Sequence, residues 1–196
     1  MNILSLFDGM SCWMIALEKA WVKVDNYFAS EIDKYAIQVS KKNYSDIIHI
    51  WDVKNVSYRP SNILTWNIGT EDIQCEPKEI DILIGWSPCQ WFSFAGKQLN
   101  FQDPRSKLFF EYVRILKESK PKYFLLENVR MKQEYQDIIS EHLWVKPIMI
   151  NSSLVSAQNR VRLYQEDGTY RQADISQPKD TGIGYSWRWS WWKIFC

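Results

Sequence analysis

Five times along this chain a short apolar run ends on a polar residue at a turn. Residues 2–7 lead into Asp8 and Gly9, residues 22–29 into Glu31, and residues 47–50 into Asp52. Residues 80–84 lead into a Gly-Trp-Ser-Pro-Cys turn ending at Cys89, and residues 123–126 lead into Glu127. Between these runs, residues 11–20, 34–42, 106–118 and 131–143 carry apolar side chains at helical spacing. In the third of these, Leu108, Phe109, Tyr112, Val113 and Leu116 form one stripe. Strands alternating with helices predict an α/β fold, with a mostly parallel sheet and helices on both faces. Residues 145–150 and 161–164 read as further strands. Residues 57–77 read as polar and irregular, with room for one short helix, and beyond Tyr164 the pattern dissolves.

In such sheets a ligand sits beyond the carboxyl ends of the strands. A lone acid after a strand is usually a solvated loop carboxylate. Asp8, Glu31 and Asp52 follow three successive strands, and that register points to a shared ligand. Residues 6–16 form a strand, a tight turn and a helix start, where backbone N–H groups favour an anionic or polar group. An acid about 20 residues further on suits a ribose diol, a place taken here by Glu31. Asp52 can accept from an adenine amine. Adenosine binding follows, and at this level NAD and S-adenosylmethionine (AdoMet) both remain open.

Cys89 stands just past a strand, on a turn stiffened by Pro88, where a thiolate is exposed and positioned for nucleophilic attack. Glu127 ends the next strand, so a nucleophile and an acid are expected side by side, which suits covalent catalysis on a heterocycle. Gln158-Asn159-Arg160-Val161-Arg162 alternates, and so puts Arg160 and Arg162 on one strand face, suited to phosphate or carboxylate. Cys12, Cys75 and Cys196 read as small core cysteines, and His49 and His142 as ordinary histidines rather than ligands.

Composition narrows the setting. Of 196 residues, 46% are hydrophobic and 24% charged, which supports a folded core rather than disorder. No apolar run approaches the roughly 18 residues of a membrane span, and the start lacks a basic n-region and cleavage site. The four cysteines are widely spaced, without a CxxC pair, which argues against a disulfide framework or a zinc site and fits a reducing cytosol. A net charge of +1 does not by itself announce a nucleic-acid partner.

Residues 6–9 (LFDG), 87–90 (SPCQ), 127–129 (ENV) and 158–162 (QNRVR) stand in an order and spacing that resembles the DNA cytosine-5 methyltransferases. The resemblance covers roughly residues 2–164. It implies a Rossmann-like, AdoMet-dependent catalytic domain over 1–164, with 165–196 as the start of a target-recognition region or an irregular tail. It implies double-stranded DNA as substrate, with the target base flipped out of the helix. Cys89 would attack cytosine C6, Glu127 would bond N3 and the exocyclic amine, Arg162 would hold the base, and Arg160 the DNA backbone. Phe7 would lie on the adenine of AdoMet, Glu31 would take the ribose, and Asp52 the adenine amine. Asp8, Gly9, Ile32, Val53 and Pro88 would complete the pocket, and Asn128 would order the catalytic loop. The family implies no metal, a monomer, a cytoplasmic location without membrane attachment, and in restriction systems a cognate endonuclease. An RNA substrate fits a similar pocket. An NAD-dependent oxidoreductase would leave SPCQ, ENV and QNRVR without a role. A catalytically dead nucleic-acid-binding remnant is the rival within the family.

Two departures stand against the resemblance. The family continues into a recognition domain and a final motif that closes the AdoMet pocket, and neither is legible here. Tryptophan also stands where the family has glycine, at Trp13, Trp21, Trp51, Trp86, Trp91 and Trp144. The chain holds eleven tryptophans and only seven glycines. An indole at 13 is expected to crowd the methionine end of the cofactor. Trp86 and Trp91 are expected to press on the catalytic loop, since overfilling a packed site costs about 1–3 kcal/mol. One cause would cover all six: UGA codons that mean glycine, translated as tryptophan; the alternative is that these are real core or surface aromatics. Trp187, Trp189, Trp191 and Trp192 fall under the same expectation, and Trp66 is left unassigned.

Overall fold

The computed structural model describes residues 1–59, 63–68, 71–75, 79–86, 107–154 and 156–167. In chain order the elements are β1 (Asn2–Leu6), α1 (Cys12–Lys19), β2 (Asn26–Ser30), α2 (Lys34–Asn43), β3 (Ile48–His49), β4 (Ser57–Arg59), β5 (Ile63–Ile68), β6 (Glu71–Cys75), β7 (Ile82–Trp86), α3 (Lys107–Ser119), β8 (Tyr123–Val129), α4 (Gln133–Leu143), β9 (Ile148–Asn151) and β10 (Val161–Asp167). Seven strands make one sheet in the order β3-β2-β1-β7-β8-β10-β9. The first five run parallel, and β10 runs antiparallel to both β8 and β9. The sheet is therefore α/β and mostly parallel, as the sequence predicts.

Strand residues point alternately to opposite faces, and the two faces feed two cores. Leu4 and Leu6 join Phe28, Leu83, Phe124 and Leu126 in the cluster packed by α3 and α4. Ile3 joins Tyr27, Ala29, Ile82, Ile84 and Leu125 in the cluster that holds Trp13 and Leu17 of α1. The apolar stripe of α3 is buried as expected: Phe109, Tyr112, Val113 and Leu116 are each at most 4% exposed. Gly85 makes room for it, because a Cβ there would fall 2.6 Å from the Tyr112 ring.

Two expectations fail. The described residues between 57 and 75 are not irregular. β4, β5 and β6 form a three-stranded antiparallel sheet, preceded by a 3-10 turn at Val53–Asn55. Tyr58, Leu64 and Trp66 are buried while Arg59 and Asn67 face solvent, so one polar side dilutes the apolar signal. Cys12 is not a core cysteine. It is exposed at the start of α1, one residue ahead of the buried Trp13, because the helix turns that face outward. The strand expected over 22–29 begins only at Asn26, and β10 runs on to Asp167.

Candidate active site

The carboxyl ends of β3, β2, β1, β7 and β8 lie side by side, with Ala29 opposite His49, Leu6 opposite Ser30 and Gly85, and Trp86 opposite Glu127. The site is built along this edge.

At its left end, Phe7 and Gly9 both sit at positive φ, 59° and 64°, which folds β1 sharply into α1. The Asp8 carboxylate turns into the protein and is 5% exposed. It accepts from Ser5 Oγ at 2.5 Å, Ser11 Oγ at 2.5 Å and Tyr27 OH at 2.6 Å. Burial raises its pKa above the ordinary carboxyl value, against the pull of the hydroxyl donors. Asp8 therefore shapes the turn from inside, and its own amide donates to Ser30 O at 3.0 Å. Ser11 Oγ also meets Ser40 Oγ at 2.6 Å, tying α2 to the same network.

Glu31 follows β2 and binds the turn from outside. Its Oε2 accepts from Gly9 N at 2.8 Å, and its Oε1 from Ile32 N and Asp33 N, each at 2.8 Å. Asp52 follows β3 and caps the 3-10 turn, accepting from Lys54 N at 3.0 Å, while Val53 is buried. The Ser30 hydroxyl donates to the carbonyl of Trp51 at 2.7 Å, so β2 holds the residue before Asp52. Phe7, Asp8, Gly9, Glu31, Ile32, Asp52 and Val53 are thus brought to three neighbouring strand ends.

At the right end, Glu127 is 7% exposed. Arg160 Nη2 donates to its Oε1 at 3.1 Å, and Arg162 Nε lies 3.3 Å from the same oxygen as an ion pair. Burial raises the Glu127 pKa, and the two guanidiniums oppose that shift. Arg162 lies in β10 and Arg160 just before it, and both side chains reach Glu127 because β10 pairs with β8. The Arg160 guanidinium also lies 5.9 Å over the Trp86 ring. Asn128 is fully buried. Pro88, Cys89 and Trp91 lie outside the described residues, as do Trp187, Trp189, Trp191 and Trp192.

The model of the C-5 cytosine-specific DNA methylases matches residues 1–143. The chain belongs to that family. It is 41% identical over 129 residues to the Type II methyltransferase M1.ScrFI of Lactococcus lactis subsp. cremoris, covering 66% of this chain and 28% of that protein. It is 32% identical over 177 residues to the orphan methyltransferase M.SPRI of Bacillus phage SPR, covering 84% of this chain and 37% of that protein. The fold matches the crystal structure of the S. pombe Dnmt2 methyltransferase with a TM-score of 0.61 at 16% identity, over 89% of this chain and 50% of that one. The chain thus spans about a third of the length of these curated relatives.

Three residues of this chain escaped the sequence reading. By sequence Tyr27 and Ser11 read only as strand and helix positions, yet they hold Asp8. Arg114 of α3 donates to Val56 O at 2.7 Å and Val53 O at 3.3 Å, while Glu111 and Glu118 pair with it at 2.8 and 2.7 Å. It ties the helix to the turn that follows Asp52. A lone Arg on an amphipathic helix carries no sequence signal for that. Among the described residues no cluster of His, Cys, Asp and Glu could hold a metal, and no helix is long and apolar enough to cross a membrane.

Proposed function

We propose that this chain carries the AdoMet-binding and cytosine-activating machinery of a DNA cytosine-5 methyltransferase, acting on a base turned out of double-stranded DNA. The observation that carries the reading is the buried Glu127 carboxyl, paired with Arg160 and Arg162. It lies beside the strand end that leads to Cys89. Only Ser87 and Pro88 separate Trp86 from Cys89, a tether of at most about 11 Å.

The strand-end residues fit AdoMet. A carboxylate has about four acceptor positions. The three amides on Glu31 leave one for a ribose hydroxyl. Asp52 uses one oxygen on Lys54 N and keeps capacity for an adenine amine. The Phe7 ring, half-buried at the end of β1, offers a face to the adenine. When bound, AdoMet supplies an electrophilic methyl group.

The chain's own residues prepare the acceptor. The Cys89 thiolate adds to C6 of cytosine, and the electron pair displaced from the C5–C6 bond makes C5 nucleophilic. Glu127, whose pKa burial raises against the pull of the two guanidiniums, bonds N3 and stabilises the charge entering the ring. Arg162 and Arg160 keep Glu127 aimed, and the greater exposure of Arg160 supports a contact with the DNA backbone. After C5 gains its methyl, loss of the C5 proton to a base and expulsion of the thiolate restore the double bond.

The test is duplex DNA carrying 5-fluorocytosine, incubated with the full chain and AdoMet. Fluorine cannot leave as the proton does, so an adduct resistant to denaturation is expected, and Cys89→Ser abolishes it. Absence of both AdoMet binding and adduct overturns the reading. Binding of AdoMet and DNA with no adduct would instead identify a catalytically dead nucleic-acid-binding remnant.

A further inference from the structure

Six non-glycine residues among those described sit at positive φ, and three of them are tryptophans: Trp21 at 59°, Trp51 at 58° and Trp144 at 58°. Tryptophan supplies eleven of 196 residues, so half of such a set is far beyond its share. A bulky residue in the left-handed region is an outlier, because its Cβ crowds the backbone carbonyl. Such strain persists only when contacts offset it. Phe7 and Ser11 have offsets: Phe7 packs against the core, and Ser11 is buried with its hydroxyl on Asp8. Lys120, at 43°, follows α3, its N–H donating to Leu116 O at 3.0 Å.

The tryptophans are more exposed than Phe7 and Ser11. Trp21 is 94% exposed, Trp144 56% and Trp51 37%. The Lys117 ammonium lies 5.8 Å from the Trp144 ring, a weak surface contact.

The local hydrogen bonding identifies what belongs at residue 21. Val22 N donates to Leu17 O and Trp21 N to Glu18 O, each at 3.0 Å. These two bonds are the paired closure of a helix C-terminus whose left-handed residue is most often glycine. Trp144 takes the equivalent left-handed place after α4. Trp51 turns the chain between the buried Ile50 and Asp52. Trp66 is the opposite case: it lies in β5, 4% exposed, in the main core. There a large side chain is needed and backbone freedom is not.

We infer that positions 21, 51 and 144 are glycines in the protein its own cell makes, whereas Trp66 is a true tryptophan. One codon, read as glycine in that cell and as tryptophan in this translation, separates the two groups. This goes beyond the methyltransferase reading and needs no catalytic assay.

The experiment has two arms. The first reads the codons and sequences, by mass spectrometry, the peptides of the protein purified from the cell that carries the gene. UGA codons with glycine at 21, 51 and 144, and UGG with tryptophan at 66, are expected. Tryptophan at the first three positions overturns the inference. The second arm compares melting of the full chain with its W21G/W51G/W144G variant. An exposed tryptophan in ordinary backbone loses stability on becoming glycine. Here Tm is expected to rise by at least roughly 2–4 °C. A fall overturns the inference. W66G, as the comparison, is expected to melt well below the unchanged chain.

Discussion

The Tyr27 hydroxyl, on β2, donates to Asp8 Oδ1 at 2.6 Å beneath the turn that leads into α1. Tyr27 is 2% exposed, so this bond is made away from water. Tyr27→Phe removes one of three donors to a buried carboxylate. It is expected to cost about 1.5 kcal/mol, the low end for hydrogen bonds to charged groups, read by urea denaturation. AdoMet affinity, read by calorimetry, is expected to fall with it, since the Gly9 amide hangs on the same turn.

Burial raises the pKa of both Asp8 and Glu127 above the ordinary carboxyl value. An acid with a raised folded pKa binds its proton more tightly when folded. Its contribution is complete below the unfolded pKa and is lost as pH rises through the folded one. Stability measured from the ordinary carboxyl range upward is therefore expected to decline less steeply in Asp8→Asn than in the unchanged chain. An identical slope in the two proteins would show that Asp8 does not titrate there.

Arg160 and Arg162 share one Glu127 oxygen but not one environment: their side chains are 38% and 22% exposed. Arg160→Ala is expected to cost about 1 kcal/mol or less, as exposed pairs do, and Arg162→Ala more. Glu127→Gln keeps a neutral acceptor in place and is expected to stay folded by circular dichroism. Its adduct formation on 5-fluorocytosine DNA is expected to slow roughly 100-fold or more, the scale of acid–base catalysis.

Arg114 holds the carbonyls of Val53 and Val56. Arg114→Ala is expected to weaken AdoMet binding while leaving DNA binding unchanged, because it frees the turn after Asp52 and not the edge at Glu127. Isothermal titration with each ligand separates the two. Loss of both affinities together would mean that α3 itself had moved.

Gly85→Ala puts a Cβ 2.6 Å from the Tyr112 ring, and Tyr112 is fully buried. Overpacking of this kind costs about 1–3 kcal/mol. A thermal melt is expected to show a loss on the order of 2–4 °C for each of those kcal/mol.

The strand-and-helix alternation, the strand ends at Asp8, Glu31, Asp52 and Glu127, and the ordered motifs were legible without coordinates. Apolar spacing is local, and a parallel sheet puts every such end on one edge. What only tertiary structure decided depends on contacts between distant residues. Asp8 faces inward because Tyr27 comes from the next strand to meet it. Arg160 and Arg162 converge on Glu127 because β10 pairs antiparallel with β8. The β4–β6 sheet escaped the sequence reading because its outward face is polar, and only burial of Tyr58, Leu64 and Trp66 reveals its inner side. Cys12 turned outward because a helix phase, not a residue type, sets which side meets water. The tryptophans divide the same way: their number is visible in the sequence, but the backbone angle that marks residues 21, 51 and 144 as glycine places exists only in the fold.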